Sequence, residues 1–391
     1  MTISNAETGY KVDPSRGRRI ERVSSEWFAR PADERYLSLN TLYESLRRRA
    51  DHSRTRIVES RAVQIQARRE DADQLTVILP EAEAPLSATH WSFGQLCNLV
   101  GAPASYLRDL PAPLAGINLQ YGLAHHRAEQ IKCLETTNGK MELRAVTGPE
   151  YGRIYDHELV AAVQRIAGNG TGDTRWKVPG VLDWSSMQYN PHVDITAETT
   201  TLYASDRDVF LFLVDDTHPI EAGTLPDGSP DLYFRGFYCW NSEVGSKIFG
   251  IASFYLRAVC QNRNLWGVEG FEEITIRHSK YAVDRFSYEA APALEKFADS
   301  SPQPFVKGIL SARAHLVAQT DEERTTFLRT NGFNKSETAK IIKAVIKQEG
   351  YPPESVFDFV QGITAVARDR DHQDARLELE QRAKRILDRV W

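Results

Sequence analysis

Val209-Phe210-Leu211-Phe212-Leu213-Val214 is followed by Leu232-Tyr233-Phe234-Arg235-Gly236-Phe237-Tyr238-Cys239-Trp240. Both stretches are short, apolar and rich in β-branched and aromatic residues, which predicts strands. Met187 to Ile195 and Ile274 to His278 read the same way. Between them Ser246 to Gln261 carries Ile248, Ile251, Ala252, Tyr255 and Val259 on one stripe, and this spacing predicts a helix.

Working outward, Leu37 to Arg49 predicts a helix from Leu39, Leu42, Tyr43 and Leu46 at i, i+3, i+4 and i+7. Arg61 to Gln66 and Leu75 to Leu79, closed by Pro80, read as a pair of strands. Ser92 to Pro111 reads as two short helices broken at Gly101. Short strands are expected from Gly116 to Val146. Tyr151 to Ile166 reads as an amphipathic helix closed by the glycines at 168, 170 and 172. After residue 287 every periodic segment is helical: Ala290 to Ala298, Phe305 to Gln319, Asp321 to Thr330, Ser336 to Gln348, Glu354 to Arg368 and Asp374 to Val390. The expectation is an α+β fold, a mixed or antiparallel sheet body with packed helices, followed by an all-helical C-terminal region. Its parts are a flexible basic leader (1–30), an α+β core (31–286) and the helical region (287–391).

Several function classes drop out on composition. The longest strongly apolar run, Val209 to Val214, is far short of the roughly 18 residues needed to cross a bilayer. The first twenty residues hold charges and no apolar stretch, so no secretory signal is expected. Cys97, Cys133, Cys239 and Cys260 are scattered without CxxC spacing, against both a zinc ribbon and a disulfide framework. A cytoplasmic protein without membrane contact is the expectation. The glycines at 168–172 follow a helix instead of opening one, so they form no phosphate-binding loop, and no cofactor is expected.

The 391 residues carry a net charge of −5, unevenly spread. Residues 1–70 hold 15 Lys and Arg against 10 Asp and Glu, a local +5. Arg47-Arg48-Arg49, with Arg54 and Arg56, forms the sharpest cluster, and three consecutive arginines on a helix cannot all face inward. Such clusters are the footprint of a polyanion site, because phosphate contacts release condensed counterions; they also occur on solvated helical faces. Arg257 and Arg263, in the polar block ending Gln261-Asn262-Arg263-Asn264, are further candidates for phosphate contact.

Gln95 to Leu110 has the outline of a helix-turn-helix, but its second helix is short for reading a groove, which favours a structural hairpin. Asp215-Asp216-x-His218 after a strand, with His192 and Asp194 on another segment, supplies the donors of a hard-cation site. The same residues also make an ordinary turn, and no third ligand set is spaced to complete a site. Asn241-Ser242-Glu243-Val244-Gly245-Ser246 is positioned to cap the helix expected after it, with amides open to an anion. Tyr233, Phe234, Phe237, Tyr238 and Trp240 offer rings for base stacking, although alternating aromatics on a strand usually belong to a core. No serine or cysteine has a nucleophile setting.

Three segments taken together resemble one family. They are Gln95-Leu96 through Gly101-Ala102-Pro103 to Tyr106-Leu107; Arg144-Ala145-Val146 with Tyr151-Gly152-Arg153-Ile154; and Asn241-Ser242-Glu243-Val244-Gly245-Ser246 leading to Arg257-x-Val259-Cys260-Gln261-Asn262. The chain is similar, over about residues 85–275, to the phage/plasmid-like protein family (domain of unknown function 932). Members sit on phages, plasmids and other mobile elements, so the resemblance implies a role near DNA maintenance and carries over no catalytic residue. The leading expectation is a non-catalytic DNA-binding protein of a mobile element, with single strands favoured. The alternatives are a metal-dependent hydrolase or nuclease using Asp215, Asp216 and His218, and a homo-oligomeric interaction protein.

Overall fold

A computed structural model describes residues 31–68, 74–127, 129–136, 141–178, 182–183, 188–189, 195–197, 200–225, 228–257, 273–368, 379, 382, 383 and 385–389. Its larger sheet is antiparallel throughout. The order is β1 (Arg35–Tyr36), β11 (Leu202–Ala204), β12 (Val209–Thr224), β13 (Pro230–Asn241), β14 (Phe249–Arg257) and β15 (Glu273–Ile276), with β8 (Trp176–Lys177) also on β12. A smaller sheet runs β2 (Ser53–Glu59), β6 (Gln130–Thr136), β7 (Glu142–Thr147), β5 (Ser87–Ala88), with only β5 and β7 parallel. The hairpin β3 (Gln64–Ala67) and β4 (Leu75–Ile78) and the pair β9 (Leu182–Asp183) and β10 (Gln188–Tyr189) stand beside them. The fold is α+β, as the sequence predicts.

Both faces of the large sheet are buried, so its strands read as unbroken apolar runs. One face sends Leu211, Leu213, Tyr233, Phe237, Phe249 and Tyr255 into the main core. The other gathers Tyr203, Phe210, Phe212, Phe234, Tyr238 and Trp240 into an aromatic layer. All five rings considered for base stacking are therefore inside, Phe234 and Tyr238 being the most open at 7%. They fill the interior and present no face to a nucleic acid.

The double burial also explains one correction. Ser246 to Gln261 is not a helix: Phe249 to Arg257 is the strand β14. With apolar residues on both faces the run loses its alternation, and Ile251, Ala252 and Tyr255 imitate a helical stripe. Gly250, paired with Trp240 on β13, is restricted to glycine because a Cβ there would enter the Trp240 ring.

The helices are α1 (Leu39–Asp51), α2 (His90–Val100), α3 (Ala104–Asp109), α4 (Ala112–His125), α5 (Asp156–Ala167), α6 (Ala282–Arg285), α7 (Ala291–Asp299), α8 (Gln303–Ala314), α9 (Asp321–Thr330), α10 (Lys335–Glu349) and α11 (Val356–Arg368). Ser38 caps α1, its hydroxyl accepting from the Thr41 amide, and Gly101 ends α2 at φ +72°. A second correction falls on Gly116 to Val146: its first part is the helix α4, and among the described residues its strands are β6 and β7. Helix α4 is apolar on more than one side, so it shows none of the periodicity that marks a helix in sequence.

Two cores result. Val58, Val77, Leu96, Leu107, Leu119 and Ile131 join the small sheet to α2, α3 and α4. Leu39, Leu159, Phe237, Phe297, Phe305 and Phe357 join the large sheet to α1, α5 and the C-terminal helices. The helical region after residue 287 thus shares its core with the large sheet. Asp374 to Val390 falls mostly outside the described residues.

Candidate functional site

The β13–β14 loop, Asn241 to Ser246, is where the two cores meet. It caps no helix. Ser242 folds it, its hydroxyl accepting from the amides of Val244 (3.3 Å) and Ser246 (2.9 Å), so those amides are used within the loop. Gly245 completes the turn at φ +83°, a conformation that disfavours any side chain.

Glu243 sits at the centre, fully buried. One carboxylate oxygen accepts from Arg144 Nη2 at 2.8 Å and lies 3.7 Å from Arg49 Nη2; the other accepts from the Asp156 amide at 3.0 Å. Arg153 Nη1 donates to the Glu243 carbonyl. Arg49 Nη2 also reaches Asp156 Oδ2 at 2.6 Å, while Asp156 Oδ1 accepts from Asn241 Nδ2 at 2.8 Å. Five ionisable groups from α1, β7, the β7–α5 segment, α5 and the loop are thereby cross-connected, four of them buried and Arg49 partly open to water.

Two carboxyls in one dry site cannot be equally comfortable as anions. Burial alone would raise Glu243, but Arg49 and Arg144 outweigh it and bring it down to about 2. Asp156 is pushed up to about 8, first by burial and then by Glu243. Glu243 therefore carries the fixed negative charge that holds the arginines.

The remaining bonds at this node tie in the small sheet's helix α2. Gln95 accepts from the Val146 amide at 2.8 Å and donates to the Val244 carbonyl at 2.7 Å, and Trp91 Nε1 donates to the same carbonyl at 3.0 Å. Tyr151 Oη donates to the Ser242 carbonyl at 3.0 Å, and its ring stacks on His278 with centroids 4.8 Å apart. Burial holds the His278 imidazole down at about 4. The three sequence segments quoted above for a resemblance thus converge on Glu243 and Val244. The node holds no nucleophile at its charged centre; Cys133 is buried, and its thiol is pushed up to about 12 by burial.

The basic residues expected to meet phosphate divide sharply. Arg49 is turned inward, also bonding the Ser205 carbonyl. Arg56 is largely buried and paired to Glu135 at 2.6 Å. Arg47 and Arg54 stay half exposed, with surface partners Asp51 at 3.0 Å and Glu83 at 3.3 Å. Arg48 is exposed and, among the described residues, makes no ion pair. Arg257 closes β14 opposite Tyr233, and Arg263 lies outside the described residues.

Asp215 is buried where the register of β12 on β13 shifts, before the pairing resumes at Ile220. It accepts from Arg175 Nε at 2.7 Å and Thr217 Oγ1 at 2.9 Å, and meets His218 Nδ1 at 3.0 Å. Burial raises its carboxyl, but the hydrogen bonds from Arg175, His218 and Thr217 prevail and hold it below the ordinary range. Asp216 follows in β12, while His192 and Asp194 lie outside the described residues. Among the described residues no group of three or more His, Cys, Asp or Glu side chains is arranged to hold a metal ion. No helix among them is long and apolar enough to cross a membrane. No family model, curated protein or solved structure matches the chain.

Proposed function

We propose that this protein binds single-stranded DNA without chemistry, in the cytoplasm, in the service of a mobile element. The observation that carries the reading is the split within Arg47-Arg48-Arg49. Arg49 is anchored on Asp156 and the node, so α1 is held rigidly and presents Arg47 and Arg48 to solvent just before Arg54. Among the described residues Arg48 has no paired carboxylate and is open to phosphate. Arg47 meets His157 Nε2 at 3.3 Å and Asp51 at 3.0 Å, contacts of a half-exposed guanidinium that contribute little and that a phosphate can replace. The mobile-element setting rests on the resemblance to the phage/plasmid-like family. The test is fluorescence anisotropy with labelled single- and double-stranded DNA across a salt series, with Arg47→Ala/Arg48→Ala alongside. A steep salt slope, shallower in the variant, supports the reading; absence of binding at low salt removes it.

A second reading, hydrolysis of a phosphodiester, is favoured by the Asp215–His218 pair. A buried carboxylate engages Nδ1 of an imidazole that is 67% exposed, an orientation that leaves Nε2 for a proton transfer. Cleavage of single-stranded DNA with added magnesium or manganese, abolished by His218→Ala, would replace the non-catalytic reading with this one.

A further inference from the structure

Arg153, on the β7–α5 segment, is only 8% exposed. Its Nη1 donates to the Glu243 carbonyl, and its Cζ stands 5.2 Å from the centroid of the Tyr151 ring. Among the described residues its Nε and Nη2, both buried, have no hydrogen-bond partner. These two nitrogens form the side-on edge of the guanidinium, a pair of parallel N–H donors that fits two oxygens of one oxyanion. A buried donor without an acceptor is costly, so two of them side by side call for a ligand that accepts from both.

The surrounding charges set the sign of that ligand. Lys132 on β6, half-buried, donates from Nζ to the carbonyl of Tyr151 at 2.8 Å, the residue whose ring faces Arg153. Among the described residues neither Lys132 nor Arg153 makes an ion pair, and Glu150, the carboxylate that acts on Lys132, is exposed. Arg49, Arg144, Arg153 and Lys132 thus set four cations against the two carboxyls Glu243 and Asp156. Burial and the Arg153 charge hold the Lys132 ammonium below its ordinary range, a repulsion that an anion between them relieves. Ile57, paired with Lys132, and Thr55, two positions before it on β2, are exposed on the same face of the small sheet, so the junction is open to water beside Lys132. We propose that Arg153 and Lys132 bind a terminal phosphate, either inorganic or of a phosphomonoester, with two oxygens on Arg153 Nε and Nη2 and a third on Lys132 Nζ. A dianion matches two cations, whereas a phosphodiester within a strand brings a single charge. The site stands apart from Arg47 and Arg48 and does not depend on the DNA-binding reading.

Isothermal titration calorimetry of the full chain with inorganic phosphate, at neutral pH and with chloride holding the ionic strength constant, reads this directly. The native chain is expected to bind one phosphate, and Arg153→Lys, which keeps the charge and removes the fork, to weaken binding by about tenfold or more. Lys132→Met, at a half-buried position, should weaken it severalfold, and Lys343→Met on the exposed side of α10 leaves it unchanged. Circular dichroism melting shows that each variant remains folded. No phosphate binding up to about 10 mM overturns the proposal, as does binding that neither Arg153→Lys nor Lys132→Met changes. Acetate, with one charge, should bind far more weakly; acetate binding as tightly as phosphate overturns the assignment to a dianion. The source is read from single strands with and without a 5′-phosphate. Tighter binding of the phosphorylated strand, with the gain lost in Lys132→Met, identifies a strand end, and equal binding of the two strands identifies free phosphate or a small phosphomonoester. Phosphate binding by a chain that binds no DNA removes the DNA-binding reading and leaves this site standing.

Discussion

Arg144 and Glu243 stand 99 positions apart in the chain and are joined at 2.8 Å, both nearly excluded from water. One comes from the small sheet and the other from the loop that joins β13 to β14 of the large one. The pair fixes how the two parts of the fold meet, and α1 with its arginines is mounted on the same carboxylate.

Breaking the pair on one side leaves a buried charge uncompensated. Arg144→Leu is expected to cost about 3–5 kcal/mol, and Glu243→Leu a similar amount. The double replacement should recover a substantial part, since neither charge is then stranded. Urea denaturation of the four proteins measures the coupling; single-variant losses below about 1 kcal/mol would mean that water reaches the node.

The two carboxyls of the node titrate in opposite senses. Glu243 lies below its ordinary 4.5, at about 2 when folded, so its contribution is present above 4.5 and is lost as pH falls towards 2. Asp156 lies above its ordinary 3.8, at about 8 when folded, so it costs stability progressively as pH rises from about 4 to 8. Glu243→Gln should therefore narrow its deficit to the native chain as the medium is acidified below 4.5. Asp156→Asn should gain on the native chain between about pH 4 and 8. Parallel melting curves for Asp156→Asn and the native chain over that range would show that Asp156 is not raised.

Adjacent arginines should part company when replaced one at a time. Arg49→Ala is expected to lower thermal stability sharply, since it strips Asp156 and Glu243 of a shared partner. Arg48→Ala should leave melting unchanged and, on the DNA-binding reading, reduce affinity with a shallower salt slope. Differential scanning fluorimetry beside anisotropy separates the two effects. Equal melting of both variants would contradict the inward position of Arg49.

Gly250→Ala drives a methyl group into the Trp240 ring on the neighbouring strand. It is expected to cost about 1–3 kcal/mol through overpacking, and Trp240→Leu in the same chain should relieve part of that cost. If Gly250→Ala melts with the native chain, the close approach of strand and ring is not rigid.

Much of this architecture was open to reading from short-range pattern. Leu39, Leu42 and Leu46 mark α1 by their spacing, Gly101 marks the break between α2 and α3, and Asp321 to Thr330 matches α9 end to end. Each of these elements has one wet side and one dry side, and that contrast is what periodicity records. Pattern misled at β14 and α4. Apolar residues on both faces erase the contrast: in β14 because both faces are buried, in α4 because its outer face is exposed and apolar.

The sequence by itself determined the fold class, the helical C-terminal region and the residue types of the node, down to the loop Asn241 to Ser246. Only the tertiary structure decided what those residues do. Whether an arginine meets solvent or a buried carboxylate depends on partners such as Asp156 and Glu243, more than a hundred positions away from Arg49. Helical phase required that one of Arg47, Arg48 and Arg49 point outward, but not which one turned in. Burial decided that, because a charge removed from water persists only where an opposite charge waits for it.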